Sequence, residues 1–331
     1  MAGFNPDDMS RFDDFNIFTT SYKQIGSYNI SLNTIYEQGL TSVSTSSQPI
    51  IIRFHGGGLV AADSLFPDFF GYWLLDLAKK YGAIIISANH RLLPEANISD
   101  ILEDLEDVWT WVQSSLPEFL RIKSQGKVRC DLKQILTAGE SAGGYLAIQL
   151  ALNHPNGIRT FLAQYPMVDM KSRWFTESFE KSVLGVPQMP KSVIGNHLAK
   201  ARDGASTTKD EKIVESSDPR LDRGGLMFCM IQNGLYQDYF DIDDAKQFPI
   251  DRLENGERLP PAGGLIWHGE KDSVVPVDGS LRFKNTVRKH NPDINLRLLV
   301  RPGDHGFDSS ARLTDEWVER ALEPYVAAWL A

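Results

Sequence analysis

The sequence predicts an α/β fold with a mostly parallel central sheet, and three observations carry that prediction. Short β-branched runs recur along the chain, amphipathic helical stripes lie between them, and glycine-rich turns follow several of the runs. Ser27 to Tyr36 alternates polar and apolar residues, as an early antiparallel strand does. Ile50–Phe54 and Ala83–Ser87 are short, continuous and β-branched, the pattern of strands buried on both faces. Ile135–Ala138, Phe161–Tyr165, Leu265–Trp267 and Leu296–Val300 continue the series.

Helices separate these runs. Phe69, Phe70, Trp73, Leu74, Leu77 and Ala78 form one apolar stripe, ended by Gly82, which accepts a left-handed cap at little cost. Ile98, Ile101, Leu102, Leu105, Val108, Trp109 and Val112 form a second, with Glu103, Asp104, Glu106 and Asp107 opposite as an expected solvated face. Glu316 to Leu330 reads as a closing helix. The rhythm breaks between about Val168 and Pro261, where polar and aromatic residues mix and Ala199 to Gly225 is charged. So long a stretch is not a simple connection, and it predicts a largely helical insertion above the C-terminal edge of the sheet.

Composition narrows the class. A chain of 331 residues with 42% hydrophobic and 23% charged content is too apolar for a disordered protein and suits one large sheet-based unit with an insertion. A net charge of −9 argues against a nucleic-acid partner. No apolar run approaches the roughly 18 residues of a membrane span. The start has neither a basic n-region nor an apolar h-region, so a cytoplasmic location is expected. Two cysteines, Cys130 and Cys229, do not make a disulfide framework.

Three segments carry chemistry. Ile135 to Ile148 reads as strand, Gly-x-Ser-x-Gly turn and helix. Such a turn holds Ser141 on a sharp bend with its hydroxyl projecting, and β-carbons at Gly139 or Gly143 would clash with the neighbouring strand and helix. The helix that follows points its positive end toward a developing oxyanion. The second segment, His55-Gly-Gly-Gly58, directly follows the buried strand ending at Phe54. Three glycines leave backbone N–H groups unobstructed, so Gly57, Gly58 and Ala142 are the expected oxyanion donors, each worth about 2.7–4 kcal/mol in the transition state. His55 is expected to brace that loop.

The third segment supplies base and acid. A serine hydroxyl needs a base, and the imidazole an acid partner to fix its tautomer. Elbow enzymes place them after the serine in the order acid, histidine. Of seven histidines, His305, in Gly303-Asp-His-Gly-Phe307 after the last strand, fits that order; His268 follows its strand too closely. Asp272, beyond the turn after Leu265–Trp267, is the candidate acid, with Glu270 and Asp278 as alternatives.

With these residues in hand, the chain resembles the hormone-sensitive-lipase-like branch of the α/β-hydrolase superfamily over about Pro49 to His305. A fourth segment, Asn89-His-Arg-Leu-Leu-Pro-Glu95, looks like that family's Tyr-Arg-Leu-Ala-Pro-Glu stretch. His90 and Leu93 replace the usual Tyr and Ala, and a second proline is missing from Ala96-Asn-Ile-Ser. The resemblance implies an α/β-hydrolase fold, its mostly parallel sheet flanked by helices, with a helical cap. It implies a carboxylic-ester substrate and no cofactor or metal. On that basis residues 27–167 and 261–331 form the expected core, 168–260 the cap insertion, and 1–26 a segment contributing to the cap. Trp174, Phe175, Phe179, Phe228, Tyr236, Tyr239 and Phe240 are candidates for lining an apolar pocket for a small ester. An Arg91–Glu140 ion pair beneath the elbow is a further expectation.

The same serine chemistry serves an amide or formamide, a thioester, a lactone, or a biosynthetic acyl transfer or cyclisation. A receptor without catalysis is the reading from another class. The plant gibberellin receptors resemble this family yet lack the catalytic histidine, and retention of His305 here weighs against it.

Overall fold

The computed structural model describes residues 4–42, 47–204 and 213–331. Part of the charged 199–225 stretch lies outside those residues. The chain opens with β1 (Phe15–Ile25), β2 (Tyr28–Glu37) and β3 (Gln48–Phe54), then α1 (Tyr72–Tyr81) and β4 (Ile84–Ala88). Next come α2 (Ile98–Ser114), α3 (Leu116–Lys123), β5 (Cys130–Glu140), α4 (Ala142–Asn153) and β6 (Thr160–Gln164). Between β6 and β7 (Gly264–Gly269) lie α5 (Arg173–Thr176), α6 (Ser192–Gly204), α7 (Gly224–Asn233) and α8 (Pro249–Glu254). The chain closes with α9 (Val277–His290), β8 (Leu296–Arg301) and α10 (Glu316–Leu330).

All eight strands form one sheet in the order β1-β2-β4-β3-β5-β6-β7-β8. The β1–β2 hairpin is antiparallel and joins antiparallel to β4; every pair from β4 to β8 is parallel. Side chains alternate between faces, as the strand period of two requires. Ile50, Ile52 and Phe54 pack with α2 and α4, and Ile51 packs with α1 and α10. Both faces are covered, which is why these strands read as continuous apolar runs.

The first 26 residues do not form part of a cap as a block. Phe15–Ile25 is the edge strand of the sheet, with a register shift between Ser21 and Lys23. Its sequence hides this because only Phe15 is buried, and an edge strand carries polar residues on its open side. Phe4, by contrast, does reach the cavity at Ser141 described below. At the other end of the insertion α8 packs on core helices: Arg252 donates to Gln149 Oε1 at 2.6 Å, and Tyr145 Oη to Gln247 O at 2.8 Å.

The acidic face of α2 is not simply solvated. Asp104 is fully buried, and its carboxylate meets Arg91 Nη2 at 2.8 Å and Lys23 Nζ at 2.9 Å. Lys23 also reaches Glu103 and Asp107, so the edge hairpin is tied to α2. The expected Arg91–Glu140 pair does not form, because Arg91 is occupied on the α2 side. Glu140 instead pairs with Arg53 at 2.6 Å. Residues 53 and 140 end neighbouring parallel strands and share the α1 face, where the Arg53 guanidinium lies 4.0 Å from the Phe70 ring centre.

Candidate active site

The elbow follows from sterics. Ser141 sits at φ 57°, ψ −118°, a conformation that a non-glycine residue adopts only when its surroundings force it. A β-carbon at Gly139 would lie 2.2 Å from Gly143 O, and one at Gly143 would lie 2.1 Å from Phe54 O. Strand β5 and helix α4 can therefore meet at this angle, close against β3, only with glycine at both places. Ser141 N–H donates to Gln164 O at 2.8 Å, which ties the bend to β6.

The glycine loop packs against the elbow. Gly57 has φ +98°, and a β-carbon there would meet Ala61 O at 2.1 Å. Val60 and Ala61 N–H both donate to Gly57 O at 3.0 Å, closing the turn. Gly56 N–H donates to Glu140 Oε1 at 2.8 Å, so the carboxylate beneath the serine anchors the loop as well as Arg53. Tyr236 Oη donates to Gly58 O at 2.8 Å from above. The N–H groups of Gly57, Gly58 and Ala142 bond to no other described residue. His55 stacks on His90 with ring centres 4.6 Å apart, and its Nδ1 lies 2.8 Å from Gly56 O. Burial pushes both imidazoles toward the neutral form, His55 well below its ordinary value. His90 thus becomes a platform under the loop.

His305 Nδ1 lies 2.8 Å from Asp272 Oδ2. Asp272 Oδ1 accepts from Val274 N–H at 2.9 Å and Val275 N–H at 2.8 Å, which fixes the carboxylate in the loop after β7. Burial of Asp272 works against its charge. The His305 charge and the hydrogen bonds from His268, His305 and Val275 N–H outweigh it and hold the carboxyl well below the usual range. His268 is the residue sequence reasoning undervalued. It is fully buried in β7, its Nε2 lies 3.3 Å from Asp272 Oδ2 and 2.8 Å from Val275 O, and its Nδ1 lies 2.9 Å from Ser280 Oγ. Its position next to the strand end placed it behind the acid, which spacing alone does not reveal. Glu270 is exposed and Asp278 lies in the first turn of α9, whereas the carboxylate bonded to the His305 ring is Asp272.

Ser141, His305 and the three loop glycines line one cavity of about 290 Å³. The Ser141 hydroxyl is not hydrogen-bonded to the His305 ring in this arrangement; such contacts commonly tighten only around substrate. Tyr165 packs its ring 4.4 Å from that of His305. Of the aromatic residues expected around the pocket, Phe228 lines this cavity. Trp174, Phe175 and Phe179 line a separate groove with Pro166, Val275 and Asp278. Tyr236 clamps Gly58, Phe240 packs on Phe248 with ring centres 5.4 Å apart, and Tyr239 lies against the core. Their places near the serine are taken by Met227 and Ile231 of α7, Met167 and Val274. These are flexible or aliphatic residues that no aromatic pattern marks. Among the described residues no cluster of three or more His, Cys, Asp or Glu is arranged to hold a metal, and no helix is long and apolar enough to cross a membrane.

Fold and site together define a class, and comparison with known proteins agrees. A family profile described as alpha/beta hydrolase fold matches residues 51–222, and the chain belongs to that family. A curated relative, "Probable carboxylesterase M8" from a Phoma species, is 27% identical over 329 residues, covering 97% of this chain and 98% of its own. A "Non-reducing polyketide synthase Preu6" from Preussia isomera is 25% identical over 94% of this chain, which spans only 14% of that protein. Among solved structures, a fungal esterase from Rhizomucor miehei superposes with a TM-score of 0.59 at 17% identity, covering 96% of this chain and 83% of its own.

Proposed function

We propose that the protein is a serine hydrolase of carboxylic esters, working through Ser141, His305 and Asp272. The observation that carries this is the pairing of buried Asp272 with His305, whose ring opens onto the same cavity as a strained serine and a glycine loop with free N–H groups. His305 Nε2 takes the Ser141 proton as Oγ attacks the ester carbonyl. Gly57, Gly58 and Ala142 N–H groups hold the oxyanion, and Asp272 keeps the Nδ1 proton in place and stabilises the imidazolium. His305 then protonates the leaving alcohol and activates water to release the acid. The carboxylesterase relative that matches nearly end to end supports the ester as the bond cleaved. The helices between β6 and β7 act as the cap, with α7 supplying the apolar wall of the pocket. A cytoplasmic enzyme acting on small esters completes the proposal, and cell fractionation tests the location.

An organophosphate should label the protein once, on Ser141, and abolish p-nitrophenyl acetate hydrolysis in step with labelling. A label on another residue, or activity surviving full labelling, would contradict the assignment. The match to a segment of a polyketide synthase favours one second reading, the same triad serving a biosynthetic acyl transfer or cyclisation. Turnover of N-acetylcysteamine thioesters well above that of matched oxygen esters would select it.

A further inference from the structure

The lining of the cavity at Ser141 is chemically mixed. Met227, Phe228 and Ile231 of α7, with Met167 and Val274, supply apolar wall. Glu140, Gln164, Tyr165 and Asp308, at the ends of β5 and β6 and in the loop that carries His305, supply a polar group. These four are only 7%, 5%, 7% and 4% exposed, yet their hydrogen-bonding capacity is not used up. Glu140 commits Oε1 to Arg53 and Gly56 N–H, while Oε2 takes no bond from any described residue. The Gln164 amide makes one long contact, 3.4 Å from Nε2 to Leu162 O. Asp308 Oδ2 accepts from Trp267 Nε1 at 2.8 Å, but Oδ1 is buried without a partner. The Tyr165 side chain also acts on the Asp308 carboxyl as a hydrogen-bonding neighbour, although Oδ1 itself has no partner.

Unpaired polar atoms in a closed site are costly, and they persist where a ligand completes them. We propose that this polar group is a subsite for a hydroxyl carried by the substrate a few bonds from its scissile carbonyl. The proximity follows from the chain: Glu140 precedes the nucleophile, and Gln164 O accepts the Ser141 N–H. A neutral hydroxyl fits better than a cation. Burial pushes both carboxyls toward neutrality, Glu140 up to about 7 against the pull of Arg53, and a hydroxyl both donates to a carboxyl oxygen and accepts from the Gln164 amide. The existing aromatic and aliphatic wall then holds the rest of the molecule. This inference rests on the ester-hydrolase reading and narrows its substrate to hydroxylated esters.

The test compares kcat/KM within matched pairs, each corrected for its rate with hydroxide. One pair, p-nitrophenyl 3-hydroxybutyrate and p-nitrophenyl butyrate, varies the acyl side. The other, 3-hydroxyphenyl acetate and phenyl acetate, varies the alcohol side. The wild-type protein should favour the hydroxylated member of at least one pair by about 10-fold or more, since a site built around a hydroxyl rejects its deoxy analogue strongly. Asp308→Ala and Gln164→Leu, made separately so that one folding failure does not decide the matter, should bring that ratio close to one. Ratios near one in both pairs for the wild type would overturn the subsite, as would a preference unchanged in both variants. An equal or larger preference for the 3-amino analogue would overturn the hydroxyl as its ligand. Hydrolysis that depends on Ser141 but shows no preference sinks only the subsite; absence of Ser141-dependent turnover sinks the ester reading itself.

Discussion

Glu140 occupies a position that the catalytic chemistry does not name and on which the site's geometry depends. Its Oε1 binds Arg53 and the Gly56 N–H, linking β3, β5 and the glycine loop at one atom. Burial raises its pKa to about 7, although Arg53 and the Gly56 N–H pull it down. Between the ordinary carboxyl value and about 7, the folded protein holds a proton that the unfolded chain has released. Stability therefore falls from this group as pH rises through that window. Glu140→Gln should flatten the pH dependence of the unfolding midpoint between about pH 4.5 and 7. Asp272 works with the opposite sign. Its carboxyl is held below the usual range, so its contribution is complete above about pH 4 and is lost as acid protonates the folded form. Asp272→Asn should weaken the acid-side decline in stability and cut kcat by about 10⁴-fold by misdirecting the imidazole tautomer. An Asp272→Asn protein with near-wild-type kcat would remove Asp272 from the triad.

Helix α2 shows why an element's charges must be placed before they are interpreted. Its N-terminus is capped by Asn97, whose side chain accepts from Asp100 N–H while Asp100 returns the bond to Asn97 N–H. That register turns Asp104 inward to Arg91 and leaves Glu103 largely in solvent. Asp104→Ala removes the one fully buried partner of Arg91 and Lys23, leaving them the more exposed Asp100, Glu103 and Asp107, and should destabilise the protein by about 1.5–3 kcal/mol. Glu103→Ala, at an exposed carboxylate, should cost about 1 kcal/mol or less. Urea unfolding of both variants distinguishes a buried tie from a solvated face; equal, small effects would return α2 to the solvated reading. The elbow obeys a harder constraint. Gly143→Ala places a β-carbon against Phe54 O, a backbone atom that cannot swing aside, and should lower stability by roughly 1–3 kcal/mol while distorting the serine.

Across the whole molecule, what was legible in the sequence was what backbone geometry restricts tightly. The strand-to-helix bend at Gly139, Ser141 and Gly143 was legible because so few residues fit such a turn, and the meeting of His305 with Asp272 was legible because both sit just past strand ends. β1 was not legible, since an edge strand with one polar side carries no buried run. The partner of Glu140 was missed because Arg53 sits inside an apolar strand, where a charge gives no local sign of its face. The pocket was missed for a related reason. Which face of α7 looks onto the serine is set by the packing of that helix over the glycine loop, and Met227 and Ile231 carry no mark of it in sequence. The central claim remains that one hydroxyl, raised by strain at the end of β5, does the covalent work. Its most direct measurement is p-nitrophenyl acetate turnover by Ser141→Ala, with circular dichroism confirming an unchanged fold. A fall in kcat of about 10⁶-fold is the result expected when a triad serine is removed; activity above a tenth of wild type in that folded variant would contradict it.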